Sequence, residues 1–190
     1  IGDLENYETL KSFEEAIEHY QKLFRIKPEL IASDLHPDYL ASRYAIDRSY
    51  RDNVANIKIQ HHHAHLAAVL ADNHWNKDDH VIGLIYDGTG YGTDGAIWGG
   101  EVLIGNYAHY QRKYHLRYVH QPGGDISVRI PARMALSHLW EYNLDWDLSL
   151  PAADSLCMEE RTALKAQLTN YIYSPKTSSM GRLFDAVASL

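Results

Sequence analysis

The sequence predicts an α/β domain, and three features carry that prediction. Helix and strand patterns alternate through residues 1–75, glycine-rich strands follow one another through 76–125, and helical periodicity dominates 126–190. With 190 residues, 45% hydrophobic and 23% charged, the chain has the length and composition of one globular domain.

The first helix is expected over 12–25, "SFEEAIEHYQKLFR", where Phe13, Ala16, Ile17, Tyr20 and Phe24 share a face. Ser12 and Glu15 have capping-box spacing, and Pro28 ends the run. "ELIASDL" reads as a short buried strand, Asp34, His36 and Pro37 as a turn, and 39–50 as a helix. "NIKIQ" is a second strand, followed by an alanine- and leucine-rich helix over 62–73. "HVIGLIYDG", "AIWGGEVLIG" and "YAHYQRKYHLRYV" then read as a strand meander, and "QPGGD" as a loop. Helices are expected near 131–142, 158–171 and 181–190. The chain starts at Ile1 and stops inside the apolar helical pattern "GRLFDAVASL", so it reads as a fragment of a longer polypeptide.

Composition narrows the function. The formal charge of −7 argues against a broad nucleic-acid surface, and no apolar run approaches membrane-spanning length. A lone cysteine, Cys157, excludes an internal disulfide and a Cys-rich zinc site, and fits a cytoplasmic location. It has no basic neighbour in sequence and reads as structural.

Two stretches are unusual. "QHHHAHLAAVLAD" puts His61, His62, His63 and His65 at a helix start. His61 and His65, at i and i+4, share a face, which is a metal-ligand spacing; a solvated helix N-terminus, core histidines with satisfied nitrogens and an accidental tract are the competing readings. A zincin motif would need Glu after the first His, where His62 stands. A third ligand must come from elsewhere, and Asp87 at a strand tip is the best candidate; such a set suits Zn²⁺ or Fe²⁺. The other stretch is "YDGTGYGTDGAIWGGE". Gly90, Gly92 and Gly95 match G-x-G-x-x-G, but a strand follows instead of a helix, so dinucleotide binding is rejected. Position 12 from Asp87 is Trp98, which rejects an EF-hand. What remains is a hairpin whose backbone N–H groups at Gly88, Gly90 and Gly92 suit an anion, with a plain hairpin that uses glycine for positive φ as the competing reading. Further candidates are Gly123, Gly124 and Asp125 with Arg129 and Arg133, and Ser178, Ser179 and Gly181 at a helix N-terminus with Asp185 one turn on. Solvated arginines and plain capping compete with those readings.

Taken together, "IGDLEN", "SDLHPDYLASRYA", "QHHHAHLAAVLAD", "YDGTGYGTDGAIWGGE", "PGGD" and "SSMGRLFDAVASL" resemble, in order and over nearly the whole chain, the HypF family of hydrogenase-maturation carbamoyltransferases. The resemblance is to that family's C-terminal carbamoyl-transfer domain, which is similar to the tRNA threonylcarbamoylation enzyme and to antibiotic O-carbamoyltransferases. It implies one lobe of a duplicated actin/sugar-kinase/Hsp70-like (ASKHA) fold, with a mixed sheet and flanking helices. It also implies transfer of a carbamoyl group from carbamoyladenylate, made from carbamoyl phosphate and ATP, to the C-terminal cysteine of a partner maturation protein. The family's metal site falls on His61, His65 and Asp87, with a further Asp ligand and the rest of the nucleotide pocket beyond Leu190. His62 is then the candidate for proton handling or carbamoyl contact, the Gly88–Gly92 turn for oxyanion contact, and Ser179, Gly181 and Asp185 for the nucleoside. The segment "ISVRIPARMAL" departs from the family pattern, which weakens any role for 126–132. A non-catalytic metal-binding lobe and a tRNA-modifying relative are the alternatives.

Overall fold

The computed structural model describes residues 6–147 and 149–190 and divides the chain into two compact units, Ile1–His61 and His62–Leu190.

The first unit contains α1 (Tyr7–Phe24), β1 (Leu30–Asp34), α2 (Leu40–Asp52) and β2 (Ala55–Ile59). The two strands pair in parallel, Leu30 opposite Ala55 through Asp34 opposite Ile59, with α2 as the crossover. The expected cap at Ser12 is corrected: α1 starts at Tyr7, because Asn6 accepts the Thr9 N–H at 2.8 Å and supplies the cap earlier. Arg48 ties the helices together, bonding Asp52 and Tyr44 at 2.8 Å and Gln21 at 2.7 Å. The parallel register brings the ends of both strands, Asp34 and Ile59, to one level, and His61 follows two residues later.

The division falls after the first residue of α3 (His61–Asp72). The second unit continues with β3 (Val81–Tyr86), β4 (Gly100–Gly105) and β5 (Tyr110–His115), an antiparallel sheet in the order β3-β4-β5. It ends with β6 (Val119–His120), α4 (Asp125–Arg129), α5 (Ala132–Glu141), α6 (Pro151–Asp154), α7 (Met158–Asn170), β7 (Lys176–Thr177) and α8 (Met180–Ser189), β6 pairing with β7. Parallel and antiparallel pairing thus both occur, in separate small sheets. Leu66 and Leu70 of α3 bury against Ile85 and Leu103 of the sheet. Gly83 lets α3 close in, since a Cβ there would stand 2.8 Å from Leu66 Cδ1. A larger apolar cluster joins Met134, Ala135 and Leu136 of α5 to Leu164, Leu168 and Ala186.

The segment after Gly124 is a short helix, α4, where an irregular loop leading to a helix near 131 is expected. Gly123 and Gly124, at φ 81° and 55°, make the turn that starts it.

Candidate metal centre and glycine loop

The α3 helix distributes the four histidines. His61 and His65 lie one turn apart. The Nδ1 atom of His61 stands 2.8 Å from the Asp34 carboxylate at the end of β1. A proton on that nitrogen puts the lone pair on Nε2, as in metal-binding histidines steadied by a carboxylate. His65 Nε2 lies 3.2 Å from Asp87 Oδ2. Ligand atoms of His61, His65 and Asp87 all lie within 4.8 Å of one another. His63 is buried on another face, its Nε2 2.9 Å from the Asn106 carbonyl and its ring 4.8 Å from that of Tyr110.

His62 has no exposed surface. Its ring lies under Gly90, where a Cβ would approach Cε1 to 2.3 Å, and its Nε2 is 4.0 Å from Asp87 Oδ2. The proton-handling or carbamoyl-contacting role expected of His62 therefore falls on a buried ring that lies beneath the loop and beside the Asp87 carboxylate.

The Asp87–Gly99 loop is the expected hairpin. Asp87 N–H donates to the Gly99 carbonyl at 2.8 Å, Trp98 N–H to Gly90 at 2.8 Å and Gly92 N–H to Ala96 at 2.9 Å. Gly95, at φ 79°, turns the tip. Two N–H groups expected to face a ligand are therefore used internally: Gly92 bonds Ala96, and Gly88 bonds the Asp87 carboxylate at 2.6 Å. Of the three glycines singled out, Gly90 remains as the candidate donor.

The N-terminus of α8 braces the base of this loop. Gly181 N–H donates to the Asp87 carbonyl at 3.1 Å, and the Ser179 hydroxyl lies 2.8 Å from the Gly88 carbonyl while accepting the Arg182 N–H at 3.1 Å. Gly181 packs backbone to backbone on Gly88, since a Cβ at Gly181 would meet Gly88 Cα at 2.8 Å. Asp185 lies 2.7 Å from Arg182 Nη1. Ser179 and Gly181 thus join the loop that carries Asp87.

The other candidates have different local partners. Gly123 N–H donates to Tyr173 at 2.6 Å and Gly124 N–H to Gln121 at 3.1 Å, while Asp125 opens α4. Arg133 is used internally, on the Pro122 carbonyl at 3.2 Å and Gln167 at 2.6 Å. Cys157 caps α7: Glu160 N–H reaches its sulfur at 3.5 Å, and its own N–H donates to the Glu160 carboxylate at 2.8 Å.

Sequence reasoning missed Asp34 as the partner of His61, and missed a charge network behind the loop. The carboxylate of Glu101 is buried and accepts from Arg112 Nε at 2.5 Å. Burial pushes the Glu101 carboxyl up, but hydrogen bonds from Arg112, Ser178 and Gly99 prevail and hold it below the ordinary range. Burial and its bond to Asp94 push the Tyr118 hydroxyl up to about 12.

The comparisons with known proteins follow this layout. Residues 1–72 match the family model described as the HypF Kae1-like domain, and residues 83–190 match the model described as carbamoyltransferase, Kae1-like domain, second subdomain. The chain belongs to the HypF carbamoyltransferase family. It is 40% identical over 192 residues to carbamoyltransferase HypF2 of Cupriavidus necator, covering all of this chain and 23% of that protein. It is 42% identical over 191 residues to HypF of Rhodobacter capsulatus, covering all of this chain and 25% of that one. Full-length HypF crystallised in a phosphate- and nucleotide-bound form superposes with a TM-score of 0.88 at 38% identity, over 100% of this chain and 24% of that one. T. kodakarensis HypF gives 0.82 at 34%, over 98% and 26%. This HypF-family chain therefore spans about a quarter of the length of the relatives it matches.

Proposed function

We propose that this chain is the metal-bearing lobe of a carbamoyltransferase. In this reading the whole protein moves a carbamoyl group from carbamoyladenylate, formed from carbamoyl phosphate and ATP, to the C-terminal cysteine thiol of a hydrogenase-maturation partner. The observation that carries the reading is the convergence of His61, His65 and Asp87 within 4.8 Å, in a chain whose two segments match HypF family models. We also assign the chain, as one fragment over 1–190, to an ASKHA lobe; the α/β elements and the superposition on full-length HypF support that assignment.

The donor set fits a divalent ion. Two imidazoles and one carboxylate suit Zn²⁺ or Fe²⁺ with coordination positions left for substrate, and Asp34 orients the first imidazole. When bound, such an ion supplies Lewis acidity and an anchor for a carbamoyl or phosphate oxygen. The protein's own groups do the rest. His61, His65 and Asp87 hold the ion's place. Gly90 offers its backbone N–H to an oxyanion. His62 keeps Asp87 and Gly90 in register from below, and Ser179 and Gly181 fix the backbone of Asp87 and Gly88. Gly88 and Gly92 shape the same turn. Asp185, and Gly123, Gly124 and Asp125 with the start of α4, are assigned to the nucleotide. The attacking thiol belongs to the partner, since Cys157 is occupied as a helix cap. Among the described residues no helix is long and apolar enough to cross a membrane, and the low cysteine content supports a cytoplasmic site of action.

In the full-length protein, His61→Ala is expected to cut transfer of radiolabelled carbamoyl to the partner thiol by at least roughly tenfold while ATP-dependent formation of the adenylate continues. Transfer at the parent rate would reject the assignment.

A further inference from the structure

Glu101, the second residue of β4, is buried among four donors. Its Oε1 accepts the N–H groups of Gly99 at 3.0 Å and Gly100 at 3.1 Å and the Ser178 hydroxyl at 2.5 Å, and its Oε2 accepts Arg112 Nε at 2.5 Å. Arg112 reaches across from β5 with its guanidinium stacked 3.9 Å over the Trp98 ring. Its Nη1 also donates to the Tyr118 hydroxyl at 2.6 Å and to Asp94 Oδ2 at 3.2 Å. Asp94 in turn collects the Trp98 indole N–H at 2.8 Å, the Ala96 N–H at 3.1 Å and the Tyr118 hydroxyl at 2.6 Å.

One guanidinium thus holds both ends of the hairpin: the base at Gly99, Gly100 and Glu101, and the tip at Asp94. The base connects to the candidate metal centre by two backbone bonds, and the tip reaches it through the Trp98 indole that Asp94 holds. Gly99 accepts from Asp87 N–H, and Trp98 donates to Gly90, which covers His62. A lysine could balance the charge but not fork between two carboxylates while lying flat on an indole.

We propose that Arg112 is a positioning residue for the metal site, clamping the Asp87–Gly99 hairpin so that the Asp87 carboxylate stays opposite His65. The inference rests on the metal reading above and extends it to a residue that is not itself a ligand. If Arg112 served stability alone, its loss would lower the melting temperature and leave the ligand geometry of the folded protein intact.

The test compares the parent with Arg112→Gln and Asp94→Asn at a temperature where all are folded by circular dichroism. Zinc affinity is read by chelator competition, the visible band of bound Co²⁺ reports ligand geometry, and amide exchange at Gly88 and Gly90 is followed in metal-free protein. Arg112→Gln is expected to weaken zinc by roughly tenfold or more and shift the cobalt band, as loss of an orienting group does at metal sites. It is also expected to speed exchange at Gly88 and Gly90. Asp94→Asn, which cuts only the tip arm at a half-exposed side chain, should do the same to a smaller degree and decides the matter if the arginine variant does not fold. Zinc affinities within about twofold of the parent, with exchange unchanged, would overturn the proposal. If the parent itself takes up no zinc, the metal reading fails, and the exchange measurement alone decides whether Arg112 positions the loop.

Discussion

Gly90 joins backbone to chemistry at the scale of single residues. A methyl at this position would stand 2.3 Å from the His62 ring, far inside contact distance, and His62 is enclosed by the same unit. Gly90→Ala is therefore expected to destabilise the chain by about 1–3 kcal/mol, the usual cost of overpacking a filled interior. Removing the ring should relieve the clash. In a double-mutant cycle in urea, His62→Ala and Gly90→Ala should show a favourable coupling of about 0.5–3 kcal/mol, and strictly additive losses would contradict the contact. The pairing of His61 with His65 was legible from helical spacing alone, because both lie on one continuous helix. Asp87 needed its place at a strand tip as well as the family resemblance. Asp34 was not legible as a partner of His61, because the contact depends on the parallel register of β1 and β2, a pairing that local periodicity does not encode.

At the scale of elements, the strands were readable where glycine and aspartate turns punctuate them, and the helices where apolar residues recur. The errors fall where a local signal had a competitor. Ser12 and Glu15 have capping-box spacing, yet Asn6 already satisfies a donor six residues before the expected start. α4 was missed because two positive-φ glycines read as a loop although they also start a helical turn. The two-residue strands β6 and β7 carry no periodicity and exist only through their mutual pairing. The clamp on β4 and β5 makes a pH prediction. The Glu101 carboxyl is held below its ordinary value of 4.5 in the folded chain, so the ionised form stabilises the fold. That stabilisation is fully present above the unfolded value and is lost as pH falls through the lower folded value. In urea titrations, the gap between the parent and Glu101→Gln should be constant above about pH 5 and shrink on acidification. A gap that widens towards acid would contradict the network.

At the scale of the whole molecule, the chain consists of two compact units whose division falls at the histidine cluster, with 1–72 and 83–190 matching separate family models. The family was readable because several weak motifs occur together in order, each ambiguous alone. The glycine hairpin could have been a plain turn, and four histidines a solvated helix end. What the motifs did not convey was how much of the loop is self-satisfied. Gly88 and Gly92 use their N–H groups internally, and Ser179 and Gly181 brace the loop base. The central claim is that His61, His65 and Asp87 hold one divalent ion. It is tested most directly by metal content, measured by plasma mass spectrometry after purification and dialysis against trace zinc and iron. The parent is expected to retain about one equivalent of a divalent metal and the His61→Ala, His65→Ala double variant to lose it. Equal metal in both proteins would contradict the site.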